Sequence, residues 1–407
     1  MKKMSSLLQL SFGFLLKVLF NNVRTENIIV VGSSSGKGFT DNGKHLFLYF
    51  LPHKKNIFFV TKSYPLYKEL RKKYGVQVLY NFSYSGIRKI LQARYYFFTT
   101  NRGDIVYSFN PKTKKVHLGH GMPIKCAGYD YKGKGVRKNK FVTNLFEKYA
   151  VGFANEDVDN IISTALFFNS FLATAWNNDK VVVMSYPRNN YLEDQKNCIR
   201  KDGGIKGSSG HPKKILYMPT HRDYGYGKIN PFIFYDDPKF RSYLADSGHE
   251  IKYRFHPNMR KALLKEEREY NLTDLIDTNS DAQDAMADAD VLISDYSSCV
   301  FDFLICEKPI IFFLYDDYSK DDNQIYYPVS SLDIGPIAKN QDELRDILIR
   351  IVSDTLYRNS LIENIKLVKD RYLARTNGWE DFQVFFDDQI VPVAIDSKSM
   401  EKGVINA

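Results

Sequence analysis

Apolar residues in the first half of the chain come in short, unbroken runs rather than in strict alternation. They stand at 27–32 (NIIVVG), 56–60 (NIFFV), 76–80 (VQVLY), 95–99 (YYFFT), 115–118 (KVHL), 150–154 (AVGFA) and 180–184 (KVVVM). Runs of this kind suit strands covered on both faces, as in a parallel sheet. Stretches with helical patterning lie between several of them, for example 41–51 and 63–74. Strand alternating with helix predicts a doubly wound α/β domain. Residues 201–213 (KDGGIKGSSGHPK) interrupt the pattern with Gly, Ser and Lys and read as a linker. The alternation then restarts with KKILYMPT (213–220), HEIKYRFHP (249–257), ADVLISDY (289–296) and KPIIFFLY (308–315), and 338–392 reads as helical.

The predicted fold class is therefore α/β of the GT-B type: two Rossmann-like domains facing a central cleft, with ligands at the carboxyl ends of the strands. The expected divisions are an N-terminal amphipathic helix at 1–24, an acceptor-side domain at 25–200, the linker at 201–213, a donor-side domain at 214–375, and a terminal helix and tail at 376–407. The N-terminal stretch carries Leu7, Leu8, Leu10, Phe14, Leu15, Val18 and Leu19 at helical spacing, flanked by Lys2, Lys3, Lys17 and Arg24. Lys17 interrupts the run, which falls short of the ~20 apolar residues of a membrane span. A broad stripe with basic flanks suits a helix lying in a membrane interface. The plainer reading is a helix packed on the domain surface.

The formal net charge of the 407 residues is +10, which points to an anionic partner. No nucleic-acid-binding motif accompanies it, and the charge is dispersed apart from KGKGVRKNK (132–140). That loop is either a solvated charge run or an electrostatic site for anionic lipid or polymer. The four cysteines, Cys126, Cys198, Cys299 and Cys306, form no C-x-x-C pair. They imply a reducing compartment without a disulfide framework or zinc site. Cys299 and Cys306, seven apart, are expected on one face of a helix. GSSSGKG (32–38) follows a strand as a P-loop does, but it has three residues between its glycines instead of four. Gly38 also stands where a magnesium-binding hydroxyl belongs, so a turn into the next helix is the expected role.

Four polar clusters each follow an apolar run directly. In LGHGMPIK (118–125), His120 comes at a strand end, where a histidine can act as a general base near neutral pH. YMPTHRD (217–223) offers Thr220 and Arg222, a hydroxyl and a forked cation suited to phosphate or ribose. YRFHP (253–257) places His256 at another strand end, with Pro257 fixing the turn. In VLISDYSSCVFDFL (291–304), Asp295 ends a strand and Ser297 and Ser298 open a helix, whose free N–H groups suit a phosphate or pyrophosphate. Singly, a strand-end histidine is more often structural and a serine pair more often a cap. Four clusters in one topological position carry more weight.

HGMPIK (120–125), SYPRNN (185–190), YMPTHRD, RFHP (254–257), SDYSSCVFDF (294–303), KPIIFF (308–313) and the early GKGFTDN (36–42) together resemble the CDP-glycerol:poly(glycerophosphate) glycerophosphotransferases of teichoic acid and capsule synthesis. The pieces stand in family order across roughly 30–320. The resemblance implies transfer of a glycerol-phosphate or ribitol-phosphate unit from a CDP-alcohol donor to a lipid-linked or polymeric anionic acceptor, releasing CMP at the cytoplasmic face of the membrane. No cofactor, metal or nucleic acid is expected. By motif, His120 is similar to the catalytic base and His256 to the second essential histidine. Arg188, Pro219, Thr220, Ser297, Ser298 and Asp302 match positions expected to bind the donor. Gly121, Met122, Pro123, Ile124, Lys125, Arg222, Arg254, Phe255, Pro257 and Asp295 complete the candidate substrate-binding set. Met122 stands where the family often has threonine, and Asn190 where aspartate is common. The compact chain suits a primer-adding enzyme or a minimal polymerase. The alternative is a nucleotide-sugar glycosyltransferase of surface polysaccharide synthesis, for which Glu307 would be the donor-ribose carboxylate.

Overall fold

The structure is a computed structural model describing residues 23–105, 112–131, 158–201, 214–220, 237–255, 281–316 and 325–386. The N-terminal stretch 1–22, the run at 150–154, the basic loop 132–140 and linker residues 202–213 lie outside the described residues. The first sheet contains β1 (Glu26–Val31), β2 (Ile57–Thr61), β3 (Val78–Tyr80), β4 (Ala93–Phe98), β5 (Lys114–His117), β6 (Asn160–Ser163) and β7 (Val181–Val183). Its order is β3-β2-β1-β4-β5-β6-β7, and every pairing is parallel. The second contains β8 (Lys214–Met218), β9 (Glu250–Tyr253), β10 (Val291–Ser294), β11 (Ile310–Phe313) and β12 (Ile337–Ala338), in the parallel order β12-β11-β10-β8-β9.

Helices supply the crossovers. In the first half these are α1 (Asp41–Phe50), α2 (Tyr64–Tyr74), α3 (Tyr84–Gln92), α4 (Asn169–Trp176) and α5 (Pro187–Lys201). In the second they are α6 (Pro238–Asp246), α7 (Ala282–Asp288), α8 (Cys299–Phe303), α9 (Gln341–Ser353), α10 (Thr355–Tyr372) and α11 (Trp379–Phe386). The apolar runs are continuous because both sheet faces are covered. Along the second sheet, Leu216, Leu292, Ile310 and Phe312 face one core, while Ile215, Tyr217, Ile293, Ile311 and Phe313 face the other. That is the period of two of a pleated strand.

Each sheet reverses its winding once. The chain leaves β1 for β2 and β3 on one side and returns to β4 on the other; likewise it leaves β8 for β9 and returns to β10. The crevices at the carboxyl ends of β1/β4 and β8/β10 are therefore the switch points at which ligands bind in open α/β sheets.

One core is continuous between the halves. Its centre is three buried rings: Phe168 before α4, Phe301 on α8 and Tyr372 at the end of α10. Ring centroids are 4.9 Å apart for Phe168–Phe301 and 5.3 Å for Phe301–Tyr372. Thr164 Oγ1 donates to the Tyr372 carbonyl at 2.8 Å, and Lys44 on α1 pairs with Asp281 at the start of α7 at 2.5 Å. Helix α11 then returns over the first sheet. Phe386 packs on Phe50 and Phe97, and Trp379 stacks on Tyr49 at 4.0 Å.

Three elements differ from the sequence reading. Cys299 lies in α8 but Cys306 lies in a 3-10 turn beyond it, so the two do not share one helical face; both are nonetheless buried. Strand β6, with only four residues, and the two-residue β12, at the edge of a stretch that reads as helical, carry too little pattern to stand out.

Phe301→Ala removes the middle ring of this junction. It is expected to destabilise the protein by about 3–5 kcal/mol, read as a lowered urea midpoint. A loss under about 1 kcal/mol would show that the junction is not a packed core.

Candidate active site

Strand β5 ends at His117 and hands the chain to Leu118, Gly119 and His120. Gly119 has φ +70°, and a Cβ there would lie 2.2 Å from the Tyr186 hydroxyl oxygen, so only glycine fits. The turn leaves His120 exposed, with Nδ1 3.2 Å from the Thr99 carbonyl at the end of β4. A carbonyl can only accept, so Nδ1 carries the proton and Nε2 is left as the basic nitrogen. His117 is the opposite case. Burial, helped by the neighbouring His120, holds its pKa down at about 3, so it stays neutral.

Behind the turn lies Arg188, on the first turn of α5, only 6% exposed. Its Nη1 donates to Asp41 Oδ1 at 2.8 Å and to the His120 carbonyl at 3.0 Å. Its Nη2 reaches Asp302 Oδ2, on α8 of the second half, at 2.8 Å. Its backbone N–H donates to Asn42 Oδ1 at 3.2 Å, while Asn42 Nδ2 donates to the carbonyls of Leu118 and Gly119. Burial alone would lower the Arg188 pKa, but Asp302 and Asp41 outweigh it and hold the guanidinium charged. Burial pushes Asp302 up to about 6; Arg188 pulls it down, and Asp41, sharing the same cation, pushes it up again. Asp41, Asn42 and Tyr186 lie inside quoted motifs, yet sequence reasoning gave them no role.

The two halves touch at this point. Gly121 has φ +146°, and a Cβ there would stand 2.2 Å from Ser298 Oγ. The remainder of the histidine stretch is fastened rather than presented. Met122 and Ile124 are core side chains, 2% and 1% exposed, while Gly121, Pro123 and Lys125 are half-buried. Lys125 forms an antiparallel bridge with Ile325, and Tyr326 N–H donates to the Ile124 carbonyl at 2.9 Å. Tyr327 donates its hydroxyl to the Pro123 carbonyl, and Tyr326 donates to Asp130 Oδ2 at 2.7 Å. No motif signals these tyrosines in the sequence.

The carboxyl ends of β8, β9 and β10 carry the other candidates. Pro219 and Thr220 follow β8 and are buried, and Thr220 N–H donates to the buried Asp295 Oδ1 at 2.8 Å. That bond spans the second switch point. Ser297 and Ser298 are half-buried in the turn before α8, and no side-chain hydrogen bond from Ser298 caps the helix. Arg254 and Phe255 follow β9, where the Arg254 N–H donates to the Tyr217 carbonyl. Arg222, His256 and Pro257 lie outside the described residues. Among the described residues, then, His120, Gly121, Arg188, Ser298 and Asp302 come together, with Thr220, Asp295 and Arg254 along the adjoining strand ends.

The first switch point has its own carboxylate. Asp104 accepts from the backbone N–H groups of Ser35 (2.6 Å), Thr99 (2.7 Å) and Thr100 (2.9 Å) and from Thr99 Oγ1 (3.0 Å). The GSSSGKG loop thus directs the Ser35 amide to an internal anion, which accords with its reading as a turn and not as a P-loop.

A family model for the CDP-Glycerol:Poly(glycerophosphate) glycerophosphotransferases matches residues 15–383. The chain belongs to this family. Among curated members, the teichoic acid glycerol-phosphate transferase of Staphylococcus aureus is 29% identical over 350 residues, covering 82% of this chain and 86% of that protein. A teichoic acid poly(glycerol phosphate) polymerase of Bacillus spizizenii is 27% identical, covering 84% and 88%. A teichoic acid ribitol-phosphate primase of the same organism is 37% identical over a third of the chain, 136 residues. The solved structure of the wall teichoic acid polymerase TagF superposes with TM-score 0.68 at 19% identity, covering 95% of this chain and 97% of that chain, and shares the α/β fold with parallel sheets.

Within this glycerophosphotransferase, Glu307 is held by two lysines from different helices. Lys196 on α5 and Lys369 on α10 hold Glu307 Oε1 at 3.0 and 2.8 Å. Burial pushes its carboxyl up, but hydrogen bonds from Lys369 and Lys196 outweigh that and lower it from 4.5 to about 2. A depressed carboxyl stabilises the fold above its free pKa, and the contribution fades as pH falls toward the folded value. Glu307→Gln is expected to cost roughly 1 kcal/mol at pH 7, with the gap to wild type closing as pH drops from 4.5 toward 2. Urea midpoints across that window check it. A constant gap would show that the charge is not what joins α5 to α10.

Proposed function

We propose that this transferase moves a glycerol-phosphate unit, or its ribitol counterpart, from a CDP-alcohol to the terminal hydroxyl of a lipid-linked or polymeric anionic acceptor. The observation that carries the reading is His120: an exposed imidazole within the stretch that the family model matches, its Nδ1 tied to a carbonyl and its Nε2 left basic. The acceptor hydroxyl gives its proton to Nε2 while its oxygen attacks the phosphorus that bears the polyol. The bond from that phosphorus to the bridging oxygen breaks, and CMP leaves with the electron pair. His256 assists from the donor side by stabilising the charge on the departing diphosphate oxygen. Ser297 and Ser298 offer hydroxyls to that diphosphate, and Thr220 and Arg254 stand beside it on the neighbouring strand ends.

Two Rossmann-like halves facing a cleft, the GT-B arrangement, give this chemistry its setting: acceptor on the His120 side, donor on the Ser298 side. The likeness to TagF supports that arrangement. No helix among the described residues is long and apolar enough to cross a membrane. The basic, apolar N-terminal stretch supports attachment at the membrane surface, where a lipid-linked acceptor would be met.

The test is transfer from radiolabelled CDP-glycerol and CDP-ribitol to an oligomeric polyol-phosphate acceptor. His120→Ala and His256→Ala are each expected to lower kcat by about 10²–10⁴-fold while the proteins stay folded by circular dichroism. Unchanged turnover in either variant removes that histidine from the mechanism. Transfer from UDP-sugars but from neither CDP-alcohol would overturn the reading.

A further inference from the structure

The transfer step uses no side chain of the first switch point, yet the base stands on its rim. The chain leaves β4 through Thr99 and Thr100 and turns at Arg102–Asp104, which brings the Asp104 carboxylate back to its own strand end. Asp104 is fully buried. Its Oδ2 takes the N–H groups of two successive residues, Thr99 at 2.7 Å and Thr100 at 2.9 Å, together with Thr99 Oγ1 at 3.0 Å. Its Oδ1 takes the Ser35 N–H at 2.6 Å. Ser34 and Ser35 hold φ of +49° and +58° in the turn that delivers this amide. Non-glycine residues keep such angles only where the surroundings impose them, commonly at functional sites. Burial pushes the Asp104 pKa up, and the hydrogen bonds from Thr100, Thr99 and Ser35 work against the rise. All four bonds are donated to the carboxyl group, an arrangement that suits its ionised form.

The other faces of the same peptides meet the histidine turn. A trans peptide is planar with its C=O and N–H pointing opposite ways, and none among the described residues is cis. The unit joining Phe98 to Thr99 gives its N–H to Asp104 and takes the Leu118 N–H on its carbonyl at 2.8 Å. The unit joining Thr99 to Thr100 gives its N–H to Asp104 and takes the His120 Nδ1–H on its carbonyl at 3.2 Å. Carboxylate and imidazole thus face each other across a single amide. The next carbonyl, that of Thr100, takes the His117 Nε2–H at 3.3 Å. The His117 ring is buried and neutral, so it fastens the strand end without placing a charge beside the base.

Hydrogen bonds in a chain polarise one another: an amide whose N–H donates to a carboxylate carries more negative charge on its oxygen. Asp104 therefore strengthens the acceptor on which His120 rests. A carboxylate bound directly to an imidazole does the same in hydrolase triads, where it fixes the tautomer and stabilises the imidazolium. We propose that Asp104 is a positioning residue for the transfer, acting through the Thr99–Thr100 amide to keep the proton of His120 on Nδ1 and to stabilise the ring once Nε2 has taken the acceptor's proton. This rests on the transferase reading and adds to it the group that orients the base.

The test uses the full chain and Asp104→Asn, which keeps the shape and an acceptor oxygen but removes the charge. With radiolabelled CDP-glycerol, kcat is expected to fall by about 10–100-fold, the scale of one hydrogen bond to a charged group, with KM for donor and acceptor unchanged. A raised KM with unchanged kcat marks a binding defect and overturns the proposal. The same substitution is then made in His120→Ala. A residue that acts through the imidazole costs nothing further once the ring is gone; losses that multiply show an independent structural effect and overturn the proposal. Ring-nitrogen NMR of isotope-labelled histidine reads the coupling without any substrate. The neutral ring of His120, identified by the signal missing from His120→Ala, is expected as the Nδ1–H tautomer in the wild-type protein, with the Nε2–H share rising in Asp104→Asn. An Nε2–H ring in the wild-type protein, or a tautomer ratio that Asp104→Asn leaves unchanged, overturns the proposal even if neither CDP-alcohol proves to be the donor. Should Asp104→Asn not fold, the wild-type tautomer decides.

Discussion

A guanidinium almost removed from water must be answered by charge, and Arg188 is answered by carboxylates on two different elements. Asp41 lies at the start of α1 in the first half, and Asp302 lies on α8 in the second. Breaking one side of such a buried pair costs roughly 3–5 kcal/mol, because the other charge is left uncompensated. The interaction therefore holds the halves together through polar contacts where Phe168, Phe301 and Tyr372 hold them through packing. It also fixes the chemistry. The nitrogen that binds Asp41 binds the His120 carbonyl as well, so the backbone of the candidate base is positioned by the same group that joins the two sheets.

The two sheets repeat one device. At each switch point a carboxylate reaches across the crevice and takes a backbone amide from the opposite strand end: Asp104 takes that of Ser35 in the first sheet, Asp295 that of Thr220 in the second. These carboxylates satisfy donors that would otherwise be stranded at the ends of parallel strands. They hold the strand-end turns in place. The polar groups on the rim, His120 on one side, Ser297, Ser298 and Arg254 on the other, are then presented from these turns.

Much of this was legible in the sequence, for identifiable reasons. Continuous apolar runs such as 56–60 and 308–315 correspond to β2 and β11, because a parallel sheet with both faces covered leaves no polar alternation to confuse the reading. The switch-point loops were legible because glycine, proline and serine gather there. What escaped was interaction between distant segments. The Arg188–Asp302 pair joins residues 188 and 302, and the Tyr326–Asp130 bond joins 326 and 130; no local pattern records either. The burial of Met122 and Ile124 escaped for a related reason. Their stretch is polar at its start, but beyond Gly121 it turns inward, and only the fold shows where.

Helix α11 has a consequence for how the chain can be made. Phe386 and Trp379, near the carboxyl end, cover Phe50, Phe97 and Tyr49 of the first half. During synthesis the amino-terminal sheet emerges long before its lid does. It waits with aromatic surface bare until residues 379–386 have been made, so the usual domain-by-domain order of folding on the ribosome is interrupted.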